Sequence, residues 1–221
     1  MPVYNEIDTI REIVARVQKV GLAHEIVIVD DGSEDGTREI LKELEQMPDV
    51  RVLLHDHNQG KGTAVVTGMR AAEGDVMVIQ DADLEYDPRD YPALLKPIEE
   101  GIADVVFGSR FLGGPRRPIL FWNMVANKMI TLTANILYNN ILTDIETGYK
   151  CFRREVIADM TIKAKGFEFE PEFTAKLLKR NVRIYEVPIS FNPRLYSEGK
   201  KITAWDGVVA FWTLLKYRVM N

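Results

Sequence analysis

Two carboxylates one residue apart, Asp81 and Asp83, follow the apolar run Val76-Met-Val-Ile-Gln80, and Glu85 stands two positions further on. Such a run, rich in β-branched residues, reads as a buried parallel strand. Open α/β sheets bind ligands beyond the carboxyl ends of their strands. An Asp-x-Asp at that end offers hard oxygen ligands to a divalent cation such as Mg²⁺ or Mn²⁺, which would share them with substrate phosphates. Solvated turns carry the same spacing, so the neighbouring motifs must decide.

Those motifs point to a nucleotide. Asp30-Asp31-Gly32-Ser33 closes the run Glu25-Ile-Val-Ile-Val29. A carboxylate there can accept hydrogen bonds from a ribose hydroxyl or a base N–H, and equally can cap an Asp-Gly turn. Asn58-Gln-Gly60-Lys61-Gly62 is a glycine-rich turn, but it lacks the spacing and the following hydroxyl of the nucleotide-triphosphate loop. Its glycines suit a sharp turn, and Lys61 is a candidate phosphate contact. Arg110, Arg116, Arg117, Arg194, Lys200 and Lys201 are candidate anion readers, since a guanidinium fork matches phosphate.

The elements that must position these residues alternate. Helical periodicity covers 7–20, 36–46, 63–72 and 91–100, and strand-like runs cover 25–29, 50–54, 76–80 and 105–107. That pattern predicts an α/β fold, a mainly parallel sheet with helices on both faces. The second half reads as a long apolar helix within 118–142, a strand over 147–152, helices over 154–160, 170–179 and 204–217, and a strand over 183–187. Asn123, Asn127, Thr131, Asn135 and Asn139 recur every four residues in the long helix, a polar stripe on a broad apolar surface. A first strand ending at Pro2-Val3-Tyr4 lacks apolar residues ahead of it and reads as truncated.

The 221 residues suit one domain with a sizeable core. A single cysteine, Cys151, excludes an internal disulfide and reads as a core residue in a reducing compartment. The net charge of −5 argues against bulk nucleic-acid binding. Neither a signal peptide nor a spanning apolar run is visible. His24, His55 and His57 form no ligand pattern, and the last two read as solvated. Trp122 and Trp212 suit a membrane interface.

Taken in order, Pro2-Val-Tyr-Asn-Glu6, Asp30-Asp-Gly-Ser33, Asn58-Gln-Gly-Lys-Gly62, Asp81-Ala-Asp83, Gly108-Ser-Arg110 and Asp144-Ile-Glu-Thr-Gly-Tyr149 resemble a family 2 glycosyltransferase of the GT-A fold. The resembling branch is that of dolichyl-phosphate mannose synthases and bacterial polyprenyl-phosphate glycosyltransferases. The resemblance spans nearly the whole chain. It implies one domain, 1–221, with a nucleotide-sugar half (1–115) and an acceptor half (116–221) carrying a basic closing loop (194–201).

The resemblance also distributes roles. Pro2, Tyr4 and Glu6 would lie at the base and ribose, although Glu6 would also sit well at a helix N-terminus. Asp30 would be the base or ribose reader, with Asp31 beside it. Asp83 would ligate Mg²⁺ or Mn²⁺, Asp81 would contact ribose or metal, and Glu85 would be a further ligand. Lys61, Arg194 and Lys200 would meet the diphosphate. Asp144 would orient sugar or acceptor. The implied reaction moves a hexose, with inversion, from a nucleotide sugar of the GDP-mannose or UDP-glucose type to a polyprenyl phosphate. It would take place in the cytoplasm, with peripheral contact at the inner membrane face. One alternative is a sugar-hydroxyl acceptor with Asp144 or Glu146 as general base. Another is an inactive nucleotide-binding scaffold.

Overall fold

The computed structural model describes residues 1–118, 120–194 and 203–220. Its elements run β1 (Pro2–Val3), α1 (Ile10–Val20), β2 (Ile26–Asp30), α2 (Thr37–Leu44), β3 (Val50–Leu54), α3 (Lys61–Ala71), β4 (Val76–Val78), α4 (Tyr91–Glu99) and β5 (Val105–Ser109). They continue through α5 (Phe121–Tyr138), β6 (Lys150–Arg153), α6 (Arg154–Ile157), α7 (Phe169–Lys179), β7 (Ile184–Pro188) and α8 (Ala204–Val219).

The strands form two hydrogen-bonded sheets, ordered β1-β2-β3 and β4-β6-β5-β7. β1–β2, β2–β3 and β5–β7 are parallel. β6 runs antiparallel between β4 and β5, with Cys151 opposite both Val78 and Val106. Alternate residues of these strands face opposite ways, as the strand period of two requires. Val106 and Cys151 join one core with Ile13, Val17, Leu94 and Ile98 of α1 and α4. Val105, Phe107 and Phe152 join the other with Phe169, Phe173, Leu177 and Leu214 of α7 and α8. Both faces are thus covered, and Cys151 is a buried core residue.

The two sheets face each other across a cavity of about 460 Å³, lined on one side by Ile26 and Val27 of β2 and on the other by Val76, Met77 and Val78 of β4. β1 enters it with two residues only, pairing Pro2 with Val29 and Val3 with Asp30. The Met1 ammonium donates to the Val27 carbonyl at 2.7 Å. Burial pushes that ammonium down to about 5, against a partial pull upward from Asp81.

α5 is turned against the usual sense of an amphipathic helix. Its polar stripe faces inward: Asn127 and Thr131 are buried, and Asn135 binds the backbone of Leu142 through both amide groups. Its apolar residues Trp122, Met129, Leu132 and Ile136 face out, from 50% to 75% exposed. α8 packs beside it and likewise exposes Trp205, Phe211 and Trp212. Among the described residues no helix is long and apolar enough to cross a membrane.

Candidate active site

The site begins where β1 ends. Asn5 adopts a left-handed backbone (φ 52°), which an Asn tolerates better than most side chains. The turn is fastened to the β2–α2 loop. Asn5 N–H donates to Ser33 Oγ at 2.9 Å, Glu34 N–H donates to Asn5 Oδ1 at 2.9 Å, and Glu6 N–H donates to Thr37 Oγ1 at 3.0 Å. Pro2, Tyr4 and Glu6 then line a cavity of about 660 Å³, together with Asp31, Lys61, Asp81, Asp83, Glu85, Arg110 and Arg194.

The adjacent aspartates at the end of β2 point to different tasks. Asp30, expected to read the base or ribose, does not line this cavity. It is fully buried, accepts from the Gly32 and Ser33 amides at 3.2 Å and pairs with Arg38 Nε at 2.7 Å. It holds its own loop. Asp31 is the cavity residue, accepting from Gln59 N–H at 3.0 Å and Gly60 N–H at 2.8 Å. His55, expected to be solvated, lies 2.7 Å from Asp31 Oδ1 through Nδ1 and 3.1 Å from Thr67 Oγ1 through Nε2. It therefore orients Asp31. The glycine turn beyond is required by close approach: at Gly60 (φ +95°) a Cβ would lie 2.3 Å from the Lys165 carbonyl oxygen.

Lys61, the first residue of α3, bridges two carboxylates, with Nζ 3.0 Å from Asp81 Oδ1 and 3.1 Å from Glu170 Oε1. Burial alone would lower its pKa, but Asp81 and Glu170 hold it well above the usual value. Asp81 also depends on Gly148, where a Cβ would fall 2.4 Å from Asp81 Oδ2. Leu84, between Asp83 and Glu85, is left-handed (φ 62°), an unusual conformation for a branched apolar residue. Strain of this kind gathers where function over-determines the backbone.

Arg194 closes the acidic side. Its two terminal nitrogens pair with Glu6 at 3.0 Å each, and Nη2 reaches Asp83 Oδ2 at 3.3 Å. Its Nε is buried with no acceptor among the described residues. Burial, then the neighbouring Asp81 and Glu85, push Asp83 up to about 7, which Arg194 only partly opposes.

This donor set fits a hard cation that takes one or two carboxylates and completes its shell with phosphate and water oxygens. Asp81 and Asp83 would hold it. Glu85, expected as a further ligand, lines the same cavity. Among the described residues no three ligating side chains converge, and Glu85 Oε1 accepts from the Arg194 backbone N–H at 2.7 Å.

Arg110 lines the opposite wall and is held from behind. Its Nε and Nη2 donate to Asp144 Oδ2 and Oδ1, and Asn127 Nδ2 donates to Oδ1 at 3.1 Å. Although burial would raise the pKa of Asp144, Arg110 holds it below the usual carboxylate value. Asp144 is fully buried behind Arg110 and is not among the residues that line the cavity. Arg116 and Arg117 are exposed and lie outside the cavity lining, and Arg116 Nη1 donates to the Arg110 carbonyl at 3.1 Å. Lys200, Lys201 and all of the expected closing loop 194–201 except Arg194 lie outside the described residues. The sequence motifs missed Glu170, and they held Asn127 and Gly148 without giving either a role. The inward stripe of α5 and the Glu-rich start of α7 were the available signals.

A two-sided α/β sheet thus gathers an acidic pair and two part-buried guanidinium groups around one cavity. The chain belongs to glycosyl transferase family 2, whose profile matches residues 1–161. It is 32% identical over 205 residues to the dolichol-phosphate mannosyltransferase of Pyrococcus furiosus, covering 90% of this chain and 57% of that relative. It is 32% identical over 242 aligned residues to the undecaprenyl-phosphate mannosyltransferase of Micrococcus luteus, covering 99% of this chain and 97% of the relative. The chain thus spans little more than half of the first relative and nearly all of the second. The fold is also that of glucosyl-3-phosphoglycerate synthase from Mycobacterium tuberculosis, solved with Mn²⁺ and UDP-glucose. The TM-score is 0.75 at 20% identity, over 98% of this chain and 76% of that one.

Proposed function

We propose that this chain transfers a hexose from a nucleoside diphosphate sugar to a polyprenyl phosphate at a membrane surface. The observation that carries the acceptor class is the cavity wall. It runs from Asp81 and Asp83, past Arg110, to Trp122, Asn123 and Ile130 of α5 and Gly207 of α8. The outer faces of those helices expose Trp122, Met129, Leu132, Ile136, Trp205, Phe211 and Trp212. A lipid with a phosphate head can therefore lie on α5 and α8 and present its charge to Arg110. The names of the two relatives above, which act on dolichol phosphate and undecaprenyl phosphate, support the same reading.

In this reading Asp31, Tyr4 and the β1 turn hold the nucleoside. Lys61 and Arg194 face the diphosphate, and the free Nε of Arg194 is a spare donor for it. Arg110, fixed by Asp144, aims the acceptor phosphate. A phosphate oxygen attacks the anomeric carbon, the bond to the diphosphate breaks on the opposite side, and the configuration inverts. No proton has to be removed, because a phosphate monoester is largely dianionic at neutral pH. Mg²⁺ or Mn²⁺ on Asp81 and Asp83 would act as a Lewis acid toward the leaving diphosphate. The Mn²⁺ and UDP-glucose of the M. tuberculosis structure make Mn²⁺ the first metal to try.

The test is a panel of GDP-mannose and UDP-glucose with undecaprenyl and dolichyl phosphate in vesicles and Mn²⁺, read as the mass of a lipid-linked hexose. Transfer to a sugar alcohol or polysaccharide, with none to lipid phosphate, would overturn the acceptor class.

A further inference from the structure

A second pair of acidic side chains, Glu146 and Glu170, lines the same cavity. Glu170, in the first turn of α7, is 5% exposed and shares the Lys61 ammonium with Asp81. Glu146, in the loop before β6, lines the same cavity. Its Oε1 takes no hydrogen bond from a described residue and is fully shielded from solvent. Lys150 is buried nearby, but its ammonium is spent on the carbonyls of Ile145 and Thr147. Around the pair the wall is low: Gly148 and Gly166 present bare backbone, and the Phe167 ring lies beside Lys61.

A buried carboxylate without a donor is an anomaly that asks for a ligand. Burial, then Glu170, push the Glu146 carboxyl up to about 8, so it offers acceptor oxygens and, when protonated, one O–H donor, and the hydroxyls of a hexose can meet either. We propose that Glu146 and Glu170 read the hydroxyls of the donor's sugar, with Lys61 joining this sugar end of the cavity to the Asp81 end. The inference rests on the cavity being a nucleotide-sugar site and names the residues that select the sugar. Lys61 explains the geometry. It fixes Glu170 while it screens Asp81, so sugar and diphosphate lie on either side of one cation. Gly148 keeps Asp81 Oδ2 clear.

The experiment is calorimetric titration, with Mn²⁺, of GDP-mannose, UDP-glucose, GDP and UDP into the wild type, Glu146→Gln and Glu170→Gln. A site built to bond a hydroxyl discriminates strongly when its polar groups are mismatched. Glu146→Gln should weaken the preferred sugar nucleotide about tenfold or more, while the matching nucleoside diphosphate binds as in the wild type. A deoxy-sugar analogue should lose less on substitution than the full sugar does. Equal weakening of nucleotide with and without sugar would overturn the assignment. So would unchanged sugar-nucleotide affinity with lost turnover and an altered pH profile, which would make Glu146 a proton acceptor. If wild-type protein binds no nucleoside diphosphate, the cavity reading itself fails, a separate result. Glu146→Gln carries the test alone should Glu170→Gln, which unpairs Lys61, fail to fold.

Discussion

Arg110 and Asp144 meet through two hydrogen bonds, Nε to Oδ2 at 2.6 Å and Nη2 to Oδ1 at 2.7 Å, and the carboxylate is completely buried. A two-point pair of this kind fixes the guanidinium plane as well as its position. Such engagement of both carboxylate oxygens argues against Asp144 as the base for a hydroxyl acceptor. A base needs a free lone pair within reach of the proton it takes, and this one faces Arg110 and Asn127.

Replacing Asp144 by Asn should therefore act through Arg110. Breaking one side of a buried pair costs about 3–5 kcal/mol, so the melting temperature should drop by many degrees. Among molecules that stay folded, the acceptor KM should rise more than kcat falls, and the pH profile should keep its shape. A new pH dependence in kcat would restore Asp144 as a proton acceptor. The acid limb has a definite sign. The folded pKa lies below the ordinary carboxylate value of 3.8, so the pair's contribution is intact above that pH and is lost only as pH falls through the lower folded value.

Gly148→Ala places a methyl 2.4 Å from Asp81 Oδ2 and 3.1 Å from Tyr86 Cε2. The carboxylate must move, because the backbone of β6 follows directly. Overpacking of this kind costs about 1–3 kcal/mol. The sharper readout is ligand linkage: the extra thermal shift that Mn²⁺ adds to GDP or UDP should shrink strongly. A full Mn²⁺-dependent shift in a protein of lowered stability would mean that Asp81 is not part of the metal and nucleotide site.

The Met1 ammonium couples stability to pH near neutrality. Its pKa falls from 8.0 to about 5 on folding, so the unfolded chain binds more protons between those values and stability rises with pH across that window. At 1.36 kcal/mol per unit, the cost at or below pH 5 is about 4 kcal/mol at most. N-terminal acetylation abolishes the charge. The acetylated protein should melt higher at pH 5.5 and match the free amine above pH 8. A designed extension of about six apolar residues ahead of Met1, a common strand length, should stabilise further by entering the cavity between β2 and β4. Parallel melting curves across the whole range would contradict both expectations.

Trp122, Trp205 and Trp212 are 75%, 70% and 67% exposed on the joint face of α5 and α8. Aromatic side chains so placed are suited to a bilayer interface. Changing all three to Ser should leave the melting temperature nearly unchanged, since exposed substitutions usually stay within about 0.5 kcal/mol each. Flotation with vesicles containing anionic lipid should fall severalfold. Retained flotation would move the lipid contact to another face.

The amino-acid sequence by itself determined what depends on neighbours along the chain. Periodicity placed α1 through Ile10, Ile13, Val14 and Val17, and β-branched runs placed β2 and β5. The Asp81-x-Asp83 pair was legible because it directly follows such a run. Tertiary structure decided what depends on facing and on distance. Asp30 and Asp31 differ by one position, and the strand period sends one into the loop and the other into the cavity. The polar stripe of α5 was visible, but only packing shows that it faces inward to Asp144. Asp81 beyond β4 and Glu170 of α7 meet at Lys61 of α3, a junction between segments remote in sequence. The physical reason is the same throughout: local propensity acts over a few residues, whereas a buried charge is placed by the whole set of elements that exclude water around it.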